Sequence, residues 1–229
     1  MLKKISSDLR KLAQPNLEYW KNQMKNTYGL ELQFDGGAGV DPLFLYRQLA
    51  FILKQVPPQL IKDSGLKTVL FRTNMGRNLK YSPNHGYYKG NLIALNADIF
   101  IHPDDVEDFK DNKGYSISRG TQTVIHEIGH AVDAAFGELS MQPAWMSLSG
   151  WSKTPKKGLK QIIIRDKGVP DVVGEMYYSP DAEFPRFYGR RNSYDDWADC
   201  FGFYVTGLKS IICSSKLKYF DMLLEPYYK

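Results

Sequence analysis

Cysteine is scarce in this chain, and its scarcity excludes two kinds of structural support. Only Cys200 and Cys213 occur among the 229 residues, and they do not form a CxxC pair. Neither a cysteine zinc site nor a disulfide framework is therefore expected. The chain also has no apolar run near the ~20 residues that a membrane span needs, and its basic start lacks the apolar segment of a secretory signal. We expect no membrane partner and predict a cytoplasmic or phage-associated location.

Charge of one sign is not concentrated anywhere in the sequence. The net charge is +5, but the lysines are scattered instead of forming a stripe or a run. A solvated basic surface explains this pattern better than a nucleic-acid site, so no nucleic-acid partner is expected. Hydrophobic residues make up 43% of the chain, which is enough for a substantial core in one large domain or in a catalytic domain with a helical extension.

Helical and extended patterns alternate along the chain, and helices predominate, which indicates an α+β fold. Asp41 and Pro42 are typical of a helix start, and β-branched and aromatic residues predict the first strand. We predict helices over residues 7–27, 41–55, 119–136 and 193–207, strands over residues 67–73 and 91–101, and mostly irregular chain over residues 137–180.

Histidine is also rare, yet two of the four histidines lie close together in the sequence HEIGH. His126 and His130 are four residues apart and therefore share one face of a helix. Two imidazoles at this spacing can bind one Zn²⁺, and Glu127 between them can act as the general base toward a zinc-activated water. An exposed helix with two incidental histidines is the alternative, but the strong helical period around the motif argues against it.

The helix around HEIGH has two distinct sides in the sequence. One stripe is apolar, and the other carries His126, His130 and Asp133, so we expect a core side and a chemical side. Gly129 lies between the histidines and would let another segment approach closely. The apolar stripe consists of Val124, Ile128, Ala131, Val132, Ala135 and Phe136.

A catalytic zinc normally has three protein ligands, so the chain must supply a third. His85 and His102 are the only other histidines, and both lie in turn-like surroundings that favour a surface role. The chain has no histidine after His130, which argues against a three-histidine site. The third ligand is therefore expected to be a carboxylate.

The helix predicted over residues 193–207 offers three carboxylates. Asp195 and Asp199 share a face one turn apart, so one can bind the metal while the other accepts a hydrogen bond from a histidine ligand. Asp196 is three residues from Asp199 and competes with Asp195 as the ligand. An ordinary acidic helix start is the alternative, and spacing alone does not decide between these possibilities.

The sequences HEIGHAVDAAFGE and YGRRNSYDDWADCFGFYV together resemble the anthrax lethal factor-like metallopeptidases. This gluzincin group includes Pro-Pro endopeptidases, and its members carry HExxH, a tyrosine, and then an acidic segment of EDFAE character. Tyr188 stands seven residues before Asp195, at the spacing of the family's catalytic tyrosine, and residues 195–199 align with the acidic segment. The resemblance covers about residues 56–206.

The resemblance implies a role for each site residue. His126, His130 and Asp195 would bind zinc, Asp199 would orient a histidine ligand, and Tyr188 would hydrogen-bond to the developing oxyanion. An extended polypeptide substrate would lie along an edge strand near residues 91–98. Aspartate replaces the family's glutamate at both acidic positions, and four other tyrosines could also reach a cleft, namely Tyr87, Tyr88, Tyr177 and Tyr178.

These observations predict a zincin-type α+β metallopeptidase with a small sheet, an HExxH helix and a mostly helical C-terminal part. Residues 1–55 would form a helical extension packed on the catalytic domain, and residues 56–229 would form that domain. The predicted function is zinc-dependent endopeptidase activity with Glu127 as general base. The alternatives are a degenerate zincin-fold binding protein and a zinc amidase acting on cell wall.

Overall fold

The structure, a computed structural model, describes residues 16–37, 39–73, 85–102, 108–110, 114–165 and 172–229, and it has α+β architecture. Among the described residues, no helix is both long enough and apolar enough to cross a membrane. The helices are α1 (Leu17–Tyr28), α2 (Pro42–Leu53), α3 (Pro58–Asp63), α4 (Asp98–Ile101), α5 (Arg119–Ala135), α6 (Pro143–Ser149), α7 (Ser193–Val205) and α8 (Ser214–Leu224). The strands are β1 (Glu31–Asp35), β2 (Thr68–Arg72), β3 (Gly86–Lys89), β4 (Leu92–Asn96), β5 (Phe109–Lys110), β6 (Ser116–Ile117), β7 (Trp151–Ser152), β8 (Lys160–Arg165) and β9 (Val172–Tyr178).

The helix starts follow from local capping chemistry. Asn16 accepts a hydrogen bond from the amide of Tyr19 at 2.9 Å, and Asp41 accepts one from the amide of Leu43 at 2.9 Å. Pro42 occupies the first position of α2, where its missing N–H costs nothing. These contacts confirm the predicted start of α2. Residues 7–15 of the helix predicted over residues 7–27 lie outside the described residues. The rest of that predicted helix is observed as α1.

The larger sheet has the strand order β1-β2-β4-β3. β1, β2 and β4 run parallel, and β3 is antiparallel to β4. The strand predicted over residues 91–101 ends at Asn96 and is followed by the short helix α4. It pairs on both sides, so the prediction of an edge strand near residues 91–98 is wrong. Within the described part of the chain, the edge next to β4 is β3, and its strand signal is hidden in a turn-rich stretch rich in glycine and asparagine.

The segment of residues 1–55 contains a strand as well as helices. β1 pairs with β2 in register Glu31 to Thr68, so this segment supplies one strand of the larger sheet. Buried side chains from α1 and α2, such as Met24 and Leu49, belong to the same core cluster as Val124 of α5. The proposed division at residue 55 stays a prediction, although the segment is not helical throughout.

Residues 137–180 are more regular than the sequence pattern indicates. They contain α6 and a second sheet with the order β7-β9-β8, in which both neighbouring pairs are antiparallel. Met146, Trp151 and Met176 form a small second core beneath this sheet. The prediction of a mostly irregular segment is therefore wrong, and the C-terminal part is less purely helical than expected.

Helix α5 lies between the larger sheet and α7, so it is buried on nearly all sides. Val124 and Ile128 are fully buried as predicted, but Ala135 and Phe136 at the helix end are exposed. Asp133, expected on a chemical side, is buried and accepts hydrogen bonds from the amide and the hydroxyl of Ser140, each at 2.6 Å. The simple division into a core side and a chemical side therefore holds only in part.

Candidate metal centre

Three predicted ligand groups come together between α5 and α7. The Nε2 atoms of His126 and His130 lie 3.1 Å apart. Asp195 Oδ1 lies 3.6 Å from Nε2 of His126 and 3.5 Å from Nε2 of His130. These three donor atoms form the group of described residues whose ligand atoms could hold one metal ion. His85 and His102 do not belong to this group.

The first turn of α7 orients Asp195. Asn192 caps the helix by accepting a hydrogen bond from the Asp195 amide at 2.7 Å, and its Nδ2 donates to Asp195 Oδ2 at 2.9 Å. One carboxylate oxygen is thus held by the cap while Oδ1 faces the two histidines. Burial works to raise the pKa of Asp195, but hydrogen bonds from His126 and His130 outweigh it and hold the pKa well below its usual range.

Asp199 lies one turn further along α7 and contacts the other side of the His126 ring. Its Oδ1 is 2.8 Å from Nδ1 of His126, and the carboxylate is fully buried. A hydrogen bond from Nδ1–H to a carboxylate leaves Nε2 directed at the ligand group. Burial lowers the pKa of His126, but the carboxylates of Asp199 and Asp195 outweigh burial and raise it to about 9.

Asp196, the competing ligand in the sequence, points away from the histidines. Its carboxylate accepts hydrogen bonds from Lys216 Nζ at 2.8 and 2.9 Å and from Trp151 Nε1 at 3.1 Å. Both members of this ion pair are buried. Burial raises the pKa of Asp196 to about 6 although Lys216 opposes that shift. Of the two adjacent aspartates, only Asp195 faces the candidate metal site.

Tyr188 lies beside the site in the 3₁₀ turn Phe187–Arg191. Its ring centroid is 5.7 Å from that of His126, and the guanidinium groups of Arg186 and Arg191 each lie 4.6 Å from the Tyr188 ring centroid. Burial raises the pKa of Tyr188, so its hydroxyl keeps its proton and can donate a hydrogen bond.

The four other candidate tyrosines have different surroundings. The Tyr177 hydroxyl donates to Glu175 at 2.8 Å, and Tyr178 packs against Trp151 in the second core. Tyr87 and Tyr88 belong to the edge strand β3, which places them on the sheet side of α5. The structure therefore brings Tyr188, and neither Tyr177 nor Tyr178, into ring contact with the HEIGH histidines.

Glu127 is buried between α5 and the edge strand β3. Its side chain is so close to Gly86 that a Cβ atom added at position 86 would lie 3.1 Å from both Cγ and Oε1 of Glu127. A glycine at the start of β3 thus lets the main chain of the edge strand run past the predicted general base. The sequence shows this glycine, but nothing in its pattern pairs it with Glu127.

Gly129 has the role expected of it, because it lets α7 approach α5. A Cβ atom at this position would lie 3.1 Å from Phe201 Cδ1 and 3.2 Å from the Ala198 Cα. Aspartate is shorter than glutamate by one C–C bond, about 1.5 Å. The close approach at Gly129 lets the short side chain of Asp195 reach the histidines.

Replacing Gly129 with alanine is expected to lower the free energy of unfolding by about 1 kcal/mol, because overpacking of roughly 1–3 kcal/mol exceeds the gain in helix propensity. Zinc affinity is expected to fall as well, since α7 must move away from the histidines. Chemical unfolding and a zinc titration measure both effects. The matched control is Ala134→Gly on the exposed face of α5, which changes helix propensity alone. An alanine variant that is as stable as wild type and binds zinc equally well would contradict this account.

No protein-family profile and no curated protein matches the sequence of this chain. Among solved structures, the chain is similar to the Pro-Pro endopeptidase PPEP-2 from Paenibacillus alvei, with 13% sequence identity and a TM-score of 0.44. The match covers 83% of this chain and 96% of that chain. Similarity at this level assigns no function, so the chemistry of the site rests on its own residues.

Proposed function

We propose that the protein is a zincin-type zinc metallopeptidase that hydrolyses peptide bonds within polypeptides. The observation that carries this proposal is the convergence of His126 Nε2, His130 Nε2 and Asp195 Oδ1 on one point. Two imidazoles and a carboxylate are a ligand set typical of catalytic zinc, which leaves one position open for water or substrate.

The spacing of the donor atoms fits such an ion. Four ligands placed tetrahedrally at about 2.0–2.1 Å from zinc lie about 3.3–3.4 Å from one another. The three observed separations are 3.1, 3.5 and 3.6 Å. Asp199 also supplies the carboxylate partner that metal-binding histidines generally have.

When bound, a zinc ion would make a water molecule acidic near neutral pH and polarise the peptide carbonyl. Glu127 follows the first histidine and would accept the proton of the attacking water as general base. The same carboxyl group would then give that proton to the leaving amine. Tyr188 would donate a hydrogen bond to the carbonyl oxygen as negative charge develops there.

The position of Glu127 next to β3 supports an extended polypeptide as substrate. β3 is at the edge of the larger sheet as far as the structure describes it, and its Gly86 packs against Glu127. An extended chain that pairs with this edge would place its main chain beside the general base. The substrate strand is thus proposed at β3, in place of the internal strand β4.

The proposal is tested by measuring zinc content and hydrolytic activity on the same preparation. Wild type is expected to bind one zinc per chain, and to cleave an unfolded protein in a reaction that a chelator stops and added zinc restores. Peptidoglycan provides the comparison substrate for amidase activity. Stoichiometric zinc without cleavage of either substrate would support the degenerate binding protein, and failure to bind zinc would exclude a zinc enzyme.

A further inference from the structure

A partly buried arginine holds the carboxylate that contacts His126. Arg186 Nε donates to Asp199 Oδ2 at 2.7 Å, and its terminal NH2 group donates to Asp199 Oδ1. Asp199 Oδ1 is also the atom that contacts His126 Nδ1. The Asp199 carboxylate therefore has no exposed surface and is shared between one guanidinium and one imidazole.

Two-point contact fixes a carboxylate more strictly than one hydrogen bond does. A single bond to His126 would leave Asp199 free to rotate about its Cβ–Cγ bond, whereas the planar fork of Arg186 sets the carboxylate plane. The orientation of that plane in turn sets the direction of the hydrogen bond to the His126 ring. The ring's other nitrogen, Nε2, faces His130 and Asp195.

The same guanidinium packs against the tyrosine beside the site. Arg186 lies 4.6 Å from the Tyr188 ring centroid and 5.1 Å from that of Phe109. It is therefore held from several directions and cannot swing away from Asp199 without breaking ring contacts. Arg190, in the same turn, lies instead over the rings of Phe184 and Phe187 and is exposed.

We infer that Arg186 is a positioning residue of the metal centre: it holds Asp199, and through Asp199 the His126 ring, in the orientation that a metal ligand requires. This inference rests on the proposed zinc site. Its first test, however, uses the metal-free protein and is independent of zinc.

The first test observes the His126 ring proton in metal-free protein by NMR. Wild type and Arg190→Gln are expected to show a downfield Nδ1–H signal that exchanges slowly with water, because Asp199 is held against the ring. Arg186→Gln is expected to lose this signal while keeping the backbone amide spectrum away from the site. Retention of the signal in Arg186→Gln would overturn the inference.

The second test measures zinc affinity in a double-mutant cycle with Asp199→Asn. Loss of partners behind metal ligands costs roughly 10–100-fold in affinity, so we expect Arg186→Gln to weaken zinc binding about tenfold or more. If Arg186 acts through Asp199, adding Arg186→Gln to Asp199→Asn should cost no more than about twofold further. Independent losses that multiply would overturn the inference.

Arg186→Lys keeps the positive charge beside Asp199 and serves as the variant most able to fold. Lysine cannot offer two parallel donors, so its zinc affinity and its ring-proton signal are expected to lie closer to those of Arg186→Gln than to wild type. Wild-type behaviour of Arg186→Lys would show that charge alone suffices and would overturn the positioning role. The zinc content and the protein-cleaving activity of wild type together test the proposed function separately.

Discussion

Replacing Glu127 with glutamine is expected to lower kcat/KM by roughly 10²–10⁴-fold, the usual contribution of a positioned general base. Glutamine has nearly the same shape, so the packing against Gly86 is kept while the proton acceptor is lost. Zinc content is expected to stay at the wild-type value, because Glu127 is not among the three grouped donor atoms. Steady-state cleavage of an unfolded protein, with metal analysis of the same sample, measures both quantities.

The matched control for this substitution is Glu138→Gln, which makes the same chemical change at an exposed position just after α5. It is expected to leave both activity and zinc content unchanged. A Glu127→Gln protein that keeps full activity would remove Glu127 from the proposed mechanism. Loss of zinc in that variant would instead mean that Glu127 holds the metal.

Alanine substitutions at the adjacent residues Asp195 and Asp196 are expected to have different effects, the first on zinc binding and the second on stability. Asp195→Ala removes the oxygen that faces both histidines, so zinc should no longer bind stoichiometrically while the protein remains folded. Asp196→Ala leaves Lys216 buried without its carboxylate, and breaking such a pair costs roughly 3–5 kcal/mol. Metal analysis and chemical unfolding of both variants without zinc distinguish the two effects.

A further variant shows whether the Asp196 effect comes from the unpaired lysine. Changing Lys216 to methionine in the Asp196→Ala background removes the buried charge and should recover part of the lost stability, because a buried ion pair can be replaced by apolar groups at little cost. No recovery would assign the loss to the hydrogen bond of Trp151 instead. Zinc loss in Asp196→Ala at full stability would contradict the assignment of Asp195 as the ligand.

Local signals in the sequence predict the helices of the site but not their surroundings. The fixed geometry of one helical turn brings His126 and His130 together, and Asp41 with Pro42 marks the start of α2. The choice between Asp195 and Asp196 depends on the rotation of α7 about its axis. Lys216, which pairs with Asp196 in that orientation, lies twenty residues further along the chain and has no pattern that marks it.

Contacts between residues far apart in the sequence account for the other differences between the predicted and the observed structure. Arg186 lies in a loop that no periodicity describes, so nothing in the sequence connects it to Asp199. β3 carries too short an alternation to be separated from the turns around it, and β8 and β9 are stabilised mainly by each other and by the second small core. Such elements are determined by their partners in the fold more than by their own sequence.

The close contact at Gly129 has a consequence for how this site can change during evolution. The separation of α5 and α7 suits a glycine on one helix and short carboxylates, Asp195 and Asp199, on the other. Glutamate at position 195 or 199 alone would be too long for that separation, and alanine at position 129 alone would make the aspartates too short. We therefore expect positions 129, 195 and 199 to change together in evolution, with a larger residue at 129 accompanying longer carboxylates on α7. Homologues would then carry either glycine at position 129 with aspartates at positions 195 and 199, or a larger residue at 129 with glutamates at those two positions. Mixed combinations would be rare.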